Sequence, residues 1–311
     1  MTNVRLLDQF RSFYFKNYPD DMETLISYFA VFGGLDWEID TTQPISCLIQ
    51  TLILENFETL DTKVQELIMH NDKNRRLLKA LAIGDRRIFS AFNKAGLNNK
   101  NGGEILNFLQ EKGIIQLEYS RERHPREYKT KLKREEARHR ISHKVLFTYP
   151  FIRFWYYFII PNIKKIQEKN YEAVLQDFEQ KHNSYTSLVY EELSEVLLNY
   201  HLRDSHIISS GSYWDAKTEI DILTLTHNGN IYVGECKWTN HKINRKELHK
   251  LREKCKKLSI EPTQIVFFSK RGFSKEMMAM RSASLALYES EDFKALLKKS
   301  SRTNITKNLF N

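Results

Sequence analysis

Two short apolar runs that each carry charge constrain this chain more than any other feature. They are TEIDILTLT (218–226) and IYVGECKW (231–238), separated by His227-Asn228-Gly229-Asn230. Apolar, β-branched-rich runs on either side of an Asn-Gly turn predict a β-hairpin. Side chains alternate along a strand, so Glu235 and Lys237 take one face and Cys236 the other, while Asp221 takes the face opposite Ile220 and Ile222. Pairing of the two strands then brings Asp221, Glu235 and Lys237 together. Two carboxylates and an ammonium at the end of a hairpin suit an oxygen-ligated Mg²⁺ beside a phosphate. Charge is costly to bury in a strand as apolar as the one holding Ile231 and Val233, so packing does not explain it. A salt bridge on an exposed sheet face is the alternative.

The surroundings of the hairpin fit a layered α/β arrangement. SLVYEELSEVLLNYHL (187–202) has helical periodicity, and SHIISSGSYW (205–214) reads as a strand. NRKELHKLREKCKKLS (244–259) is a helix, TQIVFFS (263–269) a buried strand and FSKEMMAM (273–280) a further helix. The order is α-β-β-β-α-β.

Upstream the texture is helical. MTNVRLLDQFRSFYF, METLISYFAVFGG and PISCLIQTLILENFETL space their apolar residues by three to four. NRRLLKALAIG, DRRIFSAFNKAG and NKNGGEILNFLQEKG read as three helices stopped at Gly84, Gly96 and Gly113, and a β-like stretch follows at 114–119. Three helices followed by a strand pair is the winged helix-turn-helix order. The wing would be the basic stretch 121–144, which holds ten Lys/Arg against four Asp/Glu. The segment VLFTYPFIRFWYYFIIP (145–161) is shorter than a bilayer span and carries Arg153 near its middle, so it reads as a buried helix.

With 311 residues, the chain is expected from its length to form two domains. Three widely separated cysteines (Cys47, Cys236, Cys255) exclude a disulfide framework and fit a reducing, cytoplasmic setting. No apolar h-region opens the N-terminus, so no secretory signal is expected. No Gly-Lys pair is present, which excludes a phosphate-binding loop of the P-loop type. The net charge is +9, and it is concentrated: residues 237–257 hold nine Lys/Arg against two Glu. A polyanion partner would use that asymmetry.

Asp221 and Glu235-x-Lys237 on a hairpin after an acidic helix resemble the PD-(D/E)XK nuclease superfamily. More narrowly, GSYWDAKTEIDILTL (211–225) and YVGECKW (232–238) look like the uncharacterised nuclease-like C-terminal module of archaeal-type AAA+ ATPases. FTYPFIRFWYYFIIPN (147–162) and SYFAVFGGLDWEIDTT (27–42) fit the same module, so the resemblance covers about residues 30–290. Relatives commonly carry an ATPase domain in front; this sequence shows no P-loop, and an ATPase partner would act in trans.

The residue patterns, together with the resemblance, lead to an expected α+β protein with five regions. These are a helical N-terminal region (1–72), a winged helix-turn-helix domain (73–145), aromatic and connecting helices (146–185), a restriction-endonuclease-like core with a mixed sheet (186–300) and a tail (301–311). The resemblance implies a divalent-metal-dependent DNA endonuclease with Mg²⁺ or Mn²⁺ held by Asp221, Glu235 and the backbone carbonyl of Cys236. Lys237 would orient or deprotonate the attacking water and stabilise charge on the phosphate. A helix carboxylate often completes such sites. Glu191 fits best and Glu192 is the fallback, because neighbours on a helix point about 100° apart. Arg121, Arg123, Arg126, Lys129, Lys131, Lys133 and Arg134, with Lys242, Arg245 and Lys246, would bind nucleic acid. Expected partners are nucleic acid, DNA first, a protein such as an ATPase, and a second copy of the chain, with no membrane. The competing expectation is a catalytically silent or regulatory module of the same fold.

Overall fold

The computed structural model describes residues 4–120, 142–215, 217–298 and 309–310. Arg121, Arg123, Arg126, Lys129, Lys131, Lys133 and Arg134 lie outside the described residues. The chain is α+β: among the described residues, twelve α-helices accompany a mixed five-stranded sheet. It divides into two compact units. One comprises Asn3–Leu117, Lys144–Tyr190 and Lys294–Asn311; the other comprises Met1–Thr2, Glu118–His143 and Glu191–Phe293.

The first unit is helical. It contains α1 (Val4–Asn17), α2 (Met22–Phe32), α3 (Ile45–Leu48) and α4 (Phe57–Leu67). Asp21 caps α2 by accepting the Thr24 N–H at 2.8 Å, and α2 is buried nearly all round, as its largely apolar sequence requires. Three short helices follow: α5 (Asp72–Ile83), α6 (Ile88–Lys94) and α7 (Asn99–Glu111). Gly84 caps α5, and Gly96 and Gly113, with φ of 66° and 67°, close the other two. That left-handed conformation is nearly free of cost only for glycine. Strands β1 (Ile115–Glu118) and β2 (Lys144–Phe147) then pair, and an isolated antiparallel bridge joins Arg87 to Lys144.

The aromatic segment is not one uniform helix. It begins as β2, turns into α8 (Pro150–Phe154) with proline in the first turn, and continues through a π-helical turn at Trp155–Ile159 to α9 (Ile163–Gln167). Trp155 stacks on Phe57 with ring centroids 5.8 Å apart, and Phe151, Phe154 and Phe158 are fully buried. Each such side chain contributes about 1.5–3 kcal/mol by leaving water. Arg153 is held inside this core: its Nη1 donates to the Tyr185 carbonyl at 3.0 Å, and its guanidinium lies 4.3 Å from the Tyr185 ring. Among the described residues no helix is long and apolar enough to cross a membrane.

Helix α10 (Tyr171–His201) runs unbroken past position 186, where the sequence pattern suggested a boundary; the compact units divide within it. The second unit adds β3 (Ile207–Ser209), β4 (Tyr213–Trp214), β5 (Glu219–Ile220), β6 (Ile222–Thr226), β7 (Ile231–Lys237), α11 (Arg245–Lys257), β8 (Gln264–Ser269), α12 (Lys275–Ala279) and β9 (Leu285–Glu289). The sheet order is β3-β6-β7-β8-β9, with β3, β6 and β7 antiparallel and β7, β8 and β9 parallel. Helices α11 and α12 are the crossovers that parallel neighbours require. Two details differ from the sequence reading. SHIISSGSYW is not one strand but two, because Gly211 at φ 141° turns the chain between β3 and β4. Strand β9 is additional. Leu248, Leu251 and Cys255 of α11 pack with Val233, Ile265, Phe267, Leu285 and Leu287 of the sheet.

Candidate active site

Asp221 stands where the chain changes pairing partner. Before it, β5 pairs with β4 (Tyr213↔Ile220, Trp214↔Glu219); after it, β6 pairs with β7 (Ile222↔Gly234). Continued pairing would set Ile220 opposite Cys236, but the chain leaves β7 at Asp221. The Cys236 N–H would be orphaned, and it is instead satisfied by the Asp221 side chain, donating to Oδ2 at 2.8 Å. In a strand the N–H and C=O of one residue face the same neighbour, so the Cys236 carbonyl also faces the Asp221 side.

Glu235 and Lys237 share a face, as period-two alternation requires. Lys237 Nζ donates to Glu235 Oε1 at 2.6 Å. The other oxygen of Glu235 accepts from Lys254 Nζ of α11 at 2.8 Å. The Glu235 side chain is 10% exposed and each lysine side chain 31%. Cys236 points to the opposite face, where Ser194 of α10 hydrogen-bonds its thiol. Burial, with Asp221 and Glu191 behind it, pushes that thiol well up, so it packs as a neutral group.

The electrostatics tie a third carboxylate to the pair. The Asp221 carboxyl group is pushed well above the usual carboxylate range, first by burial, then by Glu191 and Glu235. The Cys236 N–H and Lys237 oppose that shift without cancelling it. Glu191 of α10 is therefore the helix carboxylate that faces Asp221. Lys237 is pulled down by burial, but Glu235, Asp221 and Glu247 outweigh this and hold it as an ammonium. Carboxylates that push one another's protonation up in this way are one feature of a cation site.

The arrangement is not closed around an ion. Among the described residues, no three His, Cys, Asp or Glu side chains are grouped as a metal site needs. Both oxygens of Glu235 are taken by lysines. The donor set itself, carboxylates plus a backbone carbonyl, suits a hard divalent cation.

Other residues singled out from sequence fall outside this cluster. Lys242, in the loop before α11, and Arg245 and Lys246, in its first turn, are exposed, and Arg245 pairs with Glu276 at 3.2 Å. Glu219 is exposed opposite Trp214. Trp214 and Trp238 are buried, Trp238 under the Lys270 ammonium at 4.8 Å. Trp214 acts as an anchor. Its indole N–H donates to the Ser142 carbonyl at 3.0 Å, and its own carbonyl accepts from Ser120 Oγ at 3.3 Å. Glu118 adds hydrogen bonds to the Ser212 N–H (2.9 Å) and hydroxyl (2.6 Å). Ser120 and Ser142, on either side of residues 121–141, are thus both bonded to Trp214 of β4, which lies just upstream of Asp221. Lys254 escaped the sequence reading; its signal is its position three residues after Leu251, on the edge of the apolar stripe of α11.

Residues 155–251 match the family DUF234, described as archaeal and bacterial proteins of unknown function. That span contains Glu191, Asp221, Glu235 and Lys237. No curated protein matches the chain. Among solved structures, protein VC1899 from Vibrio cholerae is similar at 15% identity and a TM-score of 0.30. The alignment covers 76% of this chain and 54% of that one, so the chain spans about half the length of that relative.

Proposed function

We infer that this chain is a divalent-metal-dependent nuclease of the PD-(D/E)XK type that hydrolyses phosphodiester bonds in DNA. The observation that carries the reading is Asp221, placed at a strand switch with Glu191 and Glu235 close enough to raise its pKa and with the ammonium of Lys237 beside them. Mg²⁺ or Mn²⁺ would be held by Asp221, Glu191, Glu235 and the Cys236 carbonyl. When bound, such an ion acidifies a water and neutralises charge on the phosphate. Lys237 offers the positive charge that orients the attacking water and stabilises the phosphate as negative charge develops.

The upstream helices support a placement role. Three short helices, a strand pair and the Arg87–Lys144 bridge follow the order of a winged helix-turn-helix, and the basic stretch falls where the wing would be. Ser120 and Ser142, on either side of residues 121–141, both bond Trp214 of β4, and this supports backbone phosphates being guided toward Asp221.

One observation favours a second reading. Glu235 is fully engaged by two lysines, which suits a silent or regulatory nucleic-acid-binding or protein-binding module working with an ATPase or another partner. The test is incubation of the full chain with single-stranded, linear duplex, supercoiled and branched DNA in Mg²⁺, Mn²⁺ or EDTA. The nuclease reading expects metal-dependent cleavage of at least one form. Intact substrates throughout, with salt-sensitive binding retained, favour the module.

A further inference from the structure

Helix α11 carries five lysines, and four of them, Lys246, Lys250, Lys256 and Lys257, are exposed. Lys254 is turned inward and is half-buried, with its ammonium 2.8 Å from Glu235 Oε2. Lysines are seldom drawn out of water unless paired. Here the pairing is redundant, because Lys237 already neutralises the same carboxylate at 2.6 Å. A second ammonium adds desolvation and side-chain ordering costs without being needed to balance Glu235. Glu235 thus has two ammonium partners for its one negative charge, on the strand whose Cys236 N–H bonds Asp221.

We propose that Lys254 is a second phosphate-binding group of this site, held in reserve by Glu235. The proposal rests on the nuclease reading. Glu235 cannot serve the two lysines and a divalent cation with the same two oxygens. When its carboxylate turns to a cation, Lys237 and Lys254 lose their shared partner together and are left beside a cation and a phosphodiester, with the phosphate oxygens as the new acceptors. Lysine suits this as a compact charge on a flexible stem. The engaged Glu235 is then the resting arrangement of an intact site, in which the metal and the lysines compete for one carboxylate.

The experiment compares Lys254→Met and Lys254→Arg with the unchanged chain. Binding of a labelled DNA duplex is measured across a salt series, once in EDTA and once in Ca²⁺, and binding of Mn²⁺ alone is measured by titration calorimetry. Circular dichroism establishes that each variant folds, which Lys237 should secure because it still pairs Glu235. In Ca²⁺, Lys254→Met should lose about fivefold or more in affinity and about one unit of salt slope. In EDTA the loss should be under about twofold, and Lys254→Arg should restore most of the Ca²⁺ effect. Affinity of Lys254→Met for Mn²⁺ should rise several-fold, because a competitor for Glu235 is gone. An equal loss in EDTA and Ca²⁺, or none in either, overturns the proposal while leaving the nuclease reading in place if Mn²⁺ still binds. Failure of the unchanged chain to bind Mn²⁺ overturns the nuclease reading, and the proposal with it.

Discussion

Replacing each of the two strand carboxylates by its amide should have opposite consequences for stability in metal-free buffer. Glu235→Gln removes the negative charge that holds Lys237 at 2.6 Å and Lys254 at 2.8 Å, leaving two ammonium groups facing each other. A charge-assisted hydrogen bond is worth about 1.5–3 kcal/mol in protected surroundings. Both lysine side chains are 31% exposed, so solvent screening takes much of that away, and the glutamine oxygen still accepts one bond. The net cost expected is about 1–3 kcal/mol. Asp221→Asn differs because the amide oxygen can still accept the Cys236 N–H, now bonded at 2.8 Å, while repulsion from Glu191 and Glu235 disappears. Its cost should stay below about 0.5 kcal/mol, and a gain is expected at neutral pH.

The pH dependence fixes the sign. A carboxyl group whose pKa is raised in the folded state binds its proton more tightly there than in the unfolded chain. Its penalty therefore grows as pH climbs from the ordinary carboxylate range through the raised value. Below that range both states are protonated and the penalty vanishes. The advantage of Asp221→Asn over the unchanged chain should be present at neutral pH and close on acidification. Urea midpoints followed by circular dichroism from pH 3 to pH 8 in EDTA measure this. Asp221→Asn as damaging as Glu235→Gln, or an advantage that widens in acid, would refute the assignment of Asp221 to a repulsive cluster.

Three further outcomes are expected. Mn²⁺ at a hundredfold excess over its Kd should stabilise the chain by about 2.7 kcal/mol, and the shift in thermal midpoint should vanish in Asp221→Asn. Trp214→Phe removes the indole donor that the Ser142 carbonyl now accepts from at 3.0 Å and should lower the urea midpoint by the equivalent of about 1–3 kcal/mol; an unchanged midpoint would mean that this anchor contributes nothing. Replacing Lys129, Lys131 and Lys133 together by Gln should flatten the salt slope of duplex DNA binding by about 0.9 for each phosphate no longer neutralised, and an unchanged slope removes the basic stretch from the binding surface.

What could be read from the residues was local. Gly84, Gly96 and Gly113 announced three helix ends, and the Asn-Gly turn announced the hairpin. Period-two alternation was enough to put Glu235 and Lys237 on one face. What depended on distant pairing was hidden. TEIDILTLT looks like one strand, and nothing in it marks Asp221 as the point where the partner changes from β4 to β7. Strand β9 is five residues long and owes its identity to parallel pairing with β8, which no local pattern encodes. Lys254 is one of several lysines on α11, and only the packing of Leu251 and Cys255 against the sheet shows which one turns inward. The continuity of α10 across residue 186 was masked by a polar stretch, because a long helix that serves two cores in turn needs no single apolar stripe.

The most direct test of the central claim is cleavage of one DNA substrate by the unchanged chain and by Lys237→Ala, each shown to be folded, across a titration of Mg²⁺ or Mn²⁺ with an EDTA control. The account predicts strand scission that rises with metal, is abolished by EDTA and falls at least a hundredfold in Lys237→Ala, about 2.7 kcal/mol of transition-state stabilisation. Equal scission by both proteins, or scission that persists in EDTA, would contradict it.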